Sequence, residues 1–310
     1  MNRKLTFTET LRMYLKTINM GSEMSLITIG RSVSSIIAFL LRGSATAALL
    51  LAAAAGAQEV EKKTETPAPT QAKLIEQANA PISDLLQIRF QDSYAPEFQD
   101  AHGQGNVFSI NPIIPVPEFA AFPYTQLLSI LIPAAITTSQ GLTGFGDLKL
   151  LDFVLVSRDP EFVWGVGPVF LFPTATDRTT GQGKWQAGPA AGAAYEWRNL
   201  TFGVLAQNPM SFAGENDRSY TNFLILQPFV TYQLGAGWFV KTEPSMLFNW
   251  RTHGKTLPVN LGVGRVFKIG NQTVNCFVEP FWNASNDGPA PRYGITFGFS
   301  LLYPNLYGSQ

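Results

Sequence analysis

The residues best suited to acid–base or nucleophilic chemistry are few and scattered. The chain has two histidines, His102 and His253, and a single cysteine, Cys276. A serine or cysteine nucleophile needs a base within hydrogen-bond reach and a third group that orients the base. Ser285 and Asn286 are a polar pair that could complete such a set, but no spacing ties them to either histidine. The sequence therefore favours a protein that is not an enzyme.

Motifs that hold phosphates, metals or a strand-borne nucleophile are also absent from the sequence. It contains no G-x-S-x-G, no H-E-x-x-H and no paired cysteines. The stretch TTGQGK, residues 179–184, lacks the spacing of a phosphate loop. Cys276 lies on an apolar face, so we expect it to pack as a small hydrophobe rather than to react as a nucleophile. No cofactor and no metal site are predicted.

Charged residues that share one orientation are the second kind of candidate site. Lys241 and Glu243 are two residues apart in an alternating segment, so both side chains point to the same side of a strand. Such charges can form a polar constriction or a plug of salt bridges. A packed interior network without selectivity is the alternative. The candidates for lining an interior passage are Arg89, Glu196, Lys241, Glu243, Arg251 and Glu279.

The composition limits the possible partners. The chain has 310 residues and a formal net charge of zero, so no electrostatic field points to nucleic acid. Charged residues make up 14% of the chain, against roughly 25% in an ordinary soluble domain. Low charge without extreme hydrophobicity suits a protein with a lipid-facing exterior and a partly polar interior.

The amino terminus resembles an export signal. Basic residues precede a short apolar run at residues 45–57 that ends in Ala55-Gly56-Ala57. We therefore predict that residues 1–57 are a signal peptide cleaved after Ala57, with Met24 as an alternative start. A membrane anchor is the rival interpretation, but the run after Arg42 is shorter than the roughly 20 residues that a spanning helix needs. Residues 58–81 are polar and are predicted to be a flexible lead-in.

A period of two dominates the rest of the chain. In YGITFGFSLLY, residues 293–303, bulky apolar side chains alternate with small or polar ones. WFVKTEPSMLFNW, residues 238–250, alternates in the same way. Such alternation indicates strands. About twelve are predicted, near residues 84–92, 105–115, 124–134, 145–157, 162–173, 184–197, 200–208, 219–233, 238–250, 257–268, 272–282 and 292–303.

Short and long connections alternate between these strands. Short turns are predicted at residues 157–161, 198–199, 235–237 and 269–271, and longer polar loops at 174–183, 208–219, 251–256 and 283–292. An even strand count with turns on one side and loops on the other is typical of outer-membrane barrels. We predict an all-β, antiparallel, up-and-down transmembrane barrel of about 12 strands over residues 82–310. Its apolar face should point to lipid, and its small polar face should line the lumen.

The tryptophans provide a test of strand length. Trp185 and Trp197 are twelve residues apart, as are Trp238 and Trp250, and each pair has the same parity. Twelve residues at ~3.3 Å rise, tilted by roughly 40°, gain on the order of 30 Å in height. That height matches an apolar band with an aromatic girdle at each margin. The predicted girdle residues are Trp164, Trp185, Trp197, Trp238, Trp250 and Trp282.

Several segments resemble a known family. NAPISDLLQIRFQ (79–91), WGVGPVFLFPTATD (164–177), GQGKWQAGPAA (181–191), LQPFVTYQL (226–234) and PVNLGVGRVFKIGNQTV (258–274) are similar to bacterial proteins grouped with the meta-pathway phenol-degradation family. Members are often labelled transporters or mislabelled after neuromedin U. The resemblance implies an outer-membrane β-barrel in a Gram-negative cell. It carries over no catalytic residues.

The sequence therefore predicts a porin-like protein that passes small solutes across the outer membrane. The family resemblance implies that hydrophobic or aromatic compounds are among these solutes. The expected partners are outer-membrane lipid, the barrel-assembly machinery and a small solute. An outer-membrane enzyme that modifies lipids is one alternative. A structural or adhesive barrel that acts through its external loops is the other.

Overall fold

The computed structural model describes residues 71–80, 85–118, 122–159, 161–288 and 290–303. They belong to one compact unit, Ala57–Gln310. The predicted signal peptide and the lead-in up to residue 70 lie outside the described residues. Among the described residues, no helix is both long enough and apolar enough to cross a membrane.

One helix precedes sixteen strand segments in the described chain. The helix, α1, spans Gln71–Asn79. The strands are β1 (Leu86–Gln99), β2 (Gly105–Val116), β3 (Gln126–Thr137), β4 (Thr143–Gly144), β5 (Leu148–Arg158), β6 (Phe162–Phe172), β7 (Lys184–Trp197), β8 (Leu200–Gln207), β9 (Met210–Gly214), β10 (Phe223–Gly235), β11 (Trp238–Thr242), β12 (Met246–Asn249), β13 (Lys255–Asn260), β14 (Gly262–Ile269), β15 (Gln272–Asn286) and β16 (Ala290–Tyr303).

These segments form a closed antiparallel barrel of twelve strands. Four barrel strands are each built from two segments: β4 with β5, β8 with β9, β11 with β12, and β13 with β14. The pairing of β1 with β16, from Leu86↔Tyr303 to Gln99↔Ala290, closes the cylinder. Closure pairs the backbone groups that hydrocarbon cannot satisfy and removes free strand edges. The predicted fold class is confirmed.

The barrel has two different ends. At the turn edge, where β1 begins and β16 ends, tight turns join several neighbouring strands. The turn from β10 to β11 uses Ala236 and Gly237 with φ of 51° and 83°, the left-handed backbone that a two-residue hairpin requires. At the opposite loop edge, longer connections include residues 173–183 and 215–222.

Two of the predicted external loops are partly strand, which corrects the sequence boundaries. β15 continues to Asn286 and β16 begins at Ala290, so most of 283–292 is paired. Within 208–219, β9 pairs with β7. Outside the apolar band the outward face no longer has to be hydrophobic, so the alternation stops while the backbone pairing continues. Thr256 Oγ1, for example, donates to Asn286 Oδ1 at 2.6 Å in this region.

The outward rows are apolar, as predicted. Along β10, Val230, Tyr232 and Leu234 are exposed, whereas the alternating Phe229 and Thr231 are buried inside. A soluble sheet sandwich would bury its bulky row, so exposed aromatic and aliphatic rows all round a closed cylinder indicate an integral membrane protein.

The interior is not uniformly polar, and on this point the sequence expectation is wrong. Inward side chains of β3, β5, β6, β7, β8 and β10 form a buried apolar cluster, which we call the apolar wall: Leu127, Leu151, Phe153, Leu155, Val169, Ala190, Leu205 and Phe229. A barrel of intermediate width can fill its centre with side chains, so inward positions can be hydrophobic without facing water.

Helix α1 lies inside the barrel, where residues 58–81 were expected to be a flexible lead-in. Leu74, Ile75 and Ala78 form one helical face and are buried. They belong to a second apolar cluster with the inward residues Phe239, Val266, Phe277 and Leu302. Burying Leu74 and Ile75 contributes about 1.5–3 kcal/mol each. The sequence analysis missed this short apolar face because the composition of residues 58–81 is polar overall.

Candidate functional site

A buried group of three charges lies in the barrel interior and is called here the interior cluster. Lys241 Nζ lies 3.0 Å from Glu243 Oε2 and 3.4 Å from Glu279 Oε2. The lysine side chain is only 3% exposed. A buried charge is tolerated when it is paired, and here one ammonium group serves two carboxylates.

Strand geometry brings these residues together. β11 and β15 both pair with β14, which places inward residues of β11 and β15 on either side of it. Gly262 in β14 leaves room between them, because a Cβ there would lie 3.1 Å from Glu279 Cβ. Lys241 Nζ also lies 4.0 Å from the centre of the Phe277 ring, a cation–π contact.

Asn260 completes the interior cluster and was missed by the sequence analysis. Its side-chain oxygen accepts hydrogen bonds from Thr242 Oγ1 and from the backbone N–H of Glu243, both at 3.0 Å. Its amide nitrogen donates to Glu279 Oε1. An uncharged residue gives no charge pattern to notice. Its proximity to Glu279 depends on β13 pairing with β15, which strand alternation does not reveal.

The barrel wall is interrupted beside the interior cluster. The β11–β14 ladder ends at Lys241↔Gly262, and the β12–β13 ladder begins at Leu247↔Thr256. The residues between these pairs include Pro244 on one strand and, on the other, Pro258, and proline has no N–H to donate. Asn260 therefore supplies by its side chain one of the hydrogen bonds that the ladder lacks here.

A polar row connects α1 to the wall formed by β15, β16 and β1. Arg89 Nη2 donates to the carbonyl of Ala78 at 3.0 Å, and Asn275 Nδ2 donates to Asn79 Oδ1 at 3.3 Å. Arg89 and Asn275 both lie opposite Ser300 in the sheet register. These contacts tie the end of the helix to the barrel.

The other two predicted interior charges lie outside the interior cluster. Glu196, near the turn edge of β7, forms an ion pair with Lys73 of α1, with 3.4 Å between Oε2 and Nζ. It therefore helps to hold the helix. Arg251 is exposed in the turn between β12 and β13, so it does not line the interior. The alternation of β12 ends at Asn249, two residues before Arg251, so parity no longer sets its direction.

All six predicted girdle tryptophans are exposed, with relative accessibilities of 38–55%. Sequence position places Trp164, Trp197 and Trp238 towards the turn edge. Trp185, Trp250 and Trp282 lie towards the loop edge. Two groups at opposite ends fit the expected girdles, which remain a prediction.

Two external loops are joined to each other at the loop edge. Arg178 Nη2 donates to Asp217 Oδ2 at 2.6 Å, and Lys184 Nζ donates to the carbonyl of Glu215 at 2.6 Å. The bond from Arg178 lowers the pKa of Asp217. Hydrogen bonds from Thr179 likewise lower the pKa of neighbouring Asp177. The contacts make residues 173–183 and 215–222 a connected pair of loops.

The fold has a counterpart among solved structures. The chain is similar to the COG4313 outer membrane channel from Pseudomonas putida F1, with 11% identity, a TM-score of 0.54, and coverage of 71% of this chain and 94% of that chain. The chain therefore has an outer-membrane β-barrel fold. The NanC porin (9% identity, TM-score 0.47, 70% and 98% coverage) and the outer membrane phospholipase A from Escherichia coli (12%, 0.43, 75% and 96%) are less similar.

No family model and no curated protein matches the sequence. The grouping with the meta-pathway proteins therefore stays a resemblance. The closed barrel and its apolar exterior nevertheless place the chain in the outer membrane, in contact with lipid, as the sequence predicts.

The two histidines lie in separate connections of the barrel. His102 lies in the β1–β2 connection, and His253, with φ of 59°, lies in the β12–β13 turn. Both histidines are exposed. Asn286 pairs instead with Thr256, and Ser285 lies in β15. Among the residues that the structure describes, no group of three or more potential ligands could hold a metal ion.

Proposed function

We propose that this barrel passes small solutes that combine an apolar body with a polar or charged group. The observation that carries the proposal is that the interior combines an extended apolar surface with one buried group of charges. The apolar wall, which includes Phe153 and Phe229, occupies one part of the circumference, and the interior cluster with Lys241 occupies another. An apolar surface with a few placed polar groups is the usual lining of a small-molecule site.

The interior cluster can serve as a point of selection. Lys241 and two carboxylates offer both signs of charge within one buried group. A solute that brings a carboxylate or a hydroxyl group can exchange hydrogen bonds with them while its apolar part contacts the opposite wall. Helix α1 shares this interior, so passage requires a path beside the helix or a displacement of it.

Reconstitution into planar bilayers tests this function directly. We expect a measurable conductance in simple salts, and a reduced current when aromatic acids or alcohols occupy the passage. In a variant with Lys241→Gln and Glu243→Gln, the cation-to-anion preference should change, because charge lining a constriction sets selectivity. The matched control is Glu97→Gln, a loop-edge carboxylate paired with Arg292.

A barrel without conductance or solute block would contradict the proposed passage. Conductance with the same ion preference in the double variant and in the parent protein would contradict the selection role alone. Insertion into the membrane is expected to depend on the barrel-assembly machinery.

A further inference from the structure

A patch of buried polar side chains lies inside the barrel where β15, β16 and β1 meet, and we call it the arginine site. Gln87 and Arg89 lie on the inward row of β1, and the register sets Arg89 opposite Ser300 of β16. Ser300 in turn lies opposite Asn275 of β15. Gln87, Asn275 and Ser300 are 0% exposed, and Arg89 is 6% exposed. The four side chains therefore form one continuous surface that faces the interior.

The arginine site has hydrogen-bonding atoms that no described residue satisfies. Both amide atoms of Gln87, Arg89 Nε and Ser300 Oγ are buried without a hydrogen-bond partner among these residues. Buried polar atoms are nearly always paired, because an unpaired one costs free energy. Unpaired donors on three adjoining side chains therefore indicate a site for a ligand that accepts hydrogen bonds.

The charge of Arg89 also has no carboxylate in contact with it. None of the ion pairs between described residues includes Arg89. Glu279 attracts Arg89 electrostatically, but the oxygens of Glu279 contact Lys241 and Asn260. A guanidinium group is matched best by an anion that receives two parallel hydrogen bonds from it. The arginine site is therefore suited to an anion.

The end of helix α1 covers this site. Arg89 Nη2 donates at 3.0 Å to the carbonyl oxygen of Ala78, one of the last four carbonyls, which have no partner within a helix. These carbonyls carry the partial negative charge of the carboxyl end of the helix. A carboxylate offers a full charge and two parallel hydrogen bonds in place of this single bond. Ala78 is therefore a weaker partner for Arg89 than an anionic ligand is.

Apolar side chains adjoin the arginine site. Leu302 is two residues from Ser300 on the inward row of β16, and Phe277 is two residues from Asn275 on the inward row of β15. Leu302 and Phe277 belong to the same buried cluster as Ile75 of α1. When the end of the helix moves away, the apolar body of a solute can replace Ile75 against these two side chains. The site and its surroundings thus match a molecule with one anionic group and an apolar body.

We propose that the arginine site binds the carboxylate of an apolar acid, which takes the place of the helix end; this assignment rests on the proposed function. Arg89, Gln87 Nε2 and Ser300 Oγ donate hydrogen bonds to the carboxylate. One guanidinium matches the single charge of a carboxylate better than the charge of about −1.5 to −2 on a phosphate monoester. Binding of the acid removes the contact between Arg89 and Ala78, so the solute itself releases α1 from the interior.

Trypsin cleavage after Lys73 measures the release of α1 in folded barrels. Lys73 lies within the helix, so the helix must open before the protease can cut there. We expect 4-phenylbutyrate to accelerate this cleavage about ten times more than 4-phenylbutanol does, because only the acid forms hydrogen bonds through a charged acceptor. The mass of the product that begins at Leu74 identifies the cut.

Substitution of Arg89 separates anion binding from support of the helix. Arg89→Met loses the contact with Ala78, so its cleavage without solute should be faster, but the acid and the alcohol should then act equally. Arg89→Lys keeps the charge and should retain part of the preference for the acid. Arg292→Gln, which removes an exposed loop-edge arginine paired with Glu97, is the matched control and should keep the full preference. Unheated gel mobility confirms that each variant is a folded barrel.

Equal acceleration by the acid and the alcohol in the parent barrel would overturn the carboxylate site. A preference for the acid that survives Arg89→Met would overturn it too, because the carboxylate would then bind elsewhere. Block of the conductance by aromatic alcohols, with no preference for the acid in the cleavage, would overturn the site and leave the proposed passage intact. A preference for the acid in a barrel without conductance would support the site and contradict the passage.

Discussion

At the residue scale, Lys241 is the residue on which the interior cluster depends. It is the cation shared by Glu243 and Glu279, and its ammonium group also contacts the Phe277 ring. Asn260 donates to Glu279 Oε1 and accepts from the backbone N–H of Glu243, so it links the charges into a connected hydrogen-bond network. Networks of this kind make each member sensitive to the loss of another.

Lys241→Met should therefore destabilise the barrel strongly. The change leaves Glu243 and Glu279 buried without their counter-charge, which costs about 3–5 kcal/mol when one partner of a buried pair is removed. Urea unfolding in lipid vesicles measures the loss. A triple variant with Lys241→Met, Glu243→Gln and Glu279→Gln should regain much of the stability. Equal instability of the two variants would show that packing at residue 241, not charge, is responsible.

Asp147 has a comparable role at the loop edge, where it organises residues 173–183. Its two carboxylate oxygens accept hydrogen bonds from the backbone N–H groups of Ala175, at 3.1 Å, and Gln182, at 2.6 Å. In both bonds a charged carboxylate accepts from a backbone N–H group of the loop, so these bonds are stronger than hydrogen bonds between neutral groups.

Asp147→Ala should make that loop a better protease substrate. Without the two bonds, residues 173–183 open more often, and trypsin should cut after Arg178 about ten times faster in folded barrels. Gel analysis of timed digests measures the rate. Asp159→Ala, which removes a similar bond to the Glu161 N–H at the turn edge, is the control. A rate that rises equally in both variants would assign the effect to general loosening.

At the element scale, α1 is a helix of the same chain that packs inside the barrel. Its buried residues Leu74, Ile75 and Ala78 contact the inward residues of the barrel, and its polar ends meet Glu196 and Arg89. Such a short helix has little stability alone, so its order comes from this packing.

Leu74→Ala with Ile75→Ala should release the helix from the interior. Each substitution removes buried methyl groups and costs about 2–5 kcal/mol in a packed site. We expect a higher single-channel conductance and faster proteolysis near residues 71–79. Leu234→Ala, an exposed lipid-facing change, is the matched control. An unchanged conductance with a proteolysed helix would mean that α1 does not restrict the passage.

The connected external loops should respond to acid only below the usual range for aspartate. The pKa of Asp217 is lowered by its hydrogen bond from Arg178, and Asp177 is shifted the same way by Thr179. A depressed pKa in the folded state means that the contact contributes fully above the ordinary value, near 3.9, and is lost as pH falls through the lower folded value.

A nitroxide on Asn216→Cys, in a Cys276→Ser background, measures this response. Its mobility should stay low from pH 7 down to about 4 and rise below that. Asp217→Asn should give the mobile spectrum already at neutral pH. A transition near pH 6 would contradict carboxylate control of the loops.

At the scale of the whole molecule, sequence alternation was sufficient to predict the barrel but not to predict what fills its interior. Strands such as β10 repeat every two residues because one row meets lipid, and lipid accepts only apolar side chains. No equivalent rule governs inward rows, which pack against α1, against one another or against charge. The apolar wall around Phe153 and Phe229 was therefore not predicted.

The same difference between outward and inward rows explains how much of the candidate site could be predicted. The parity of Lys241 and Glu243 predicted that they share a direction, and the structure brings both to Glu279. The contribution of Asn260 depends on the pairing of β13 with β15, a contact between segments that parity does not report. Arg251 was named as an interior candidate although it begins the predicted loop 251–256, and it lies in the turn beyond β12, where strand parity sets no direction.

The closing ladder has a consequence for biogenesis. Residue 86 must meet residue 303, so the cylinder cannot shut until the final segment of the polypeptide has emerged. Contacts between residues so far apart in sequence form slowly. Until they form, the apolar outward rows are exposed to water and can aggregate with other chains. We therefore expect a nascent copy of this protein to require a chaperone between synthesis and insertion, and a copy with a shortened last strand to remain bound to that chaperone.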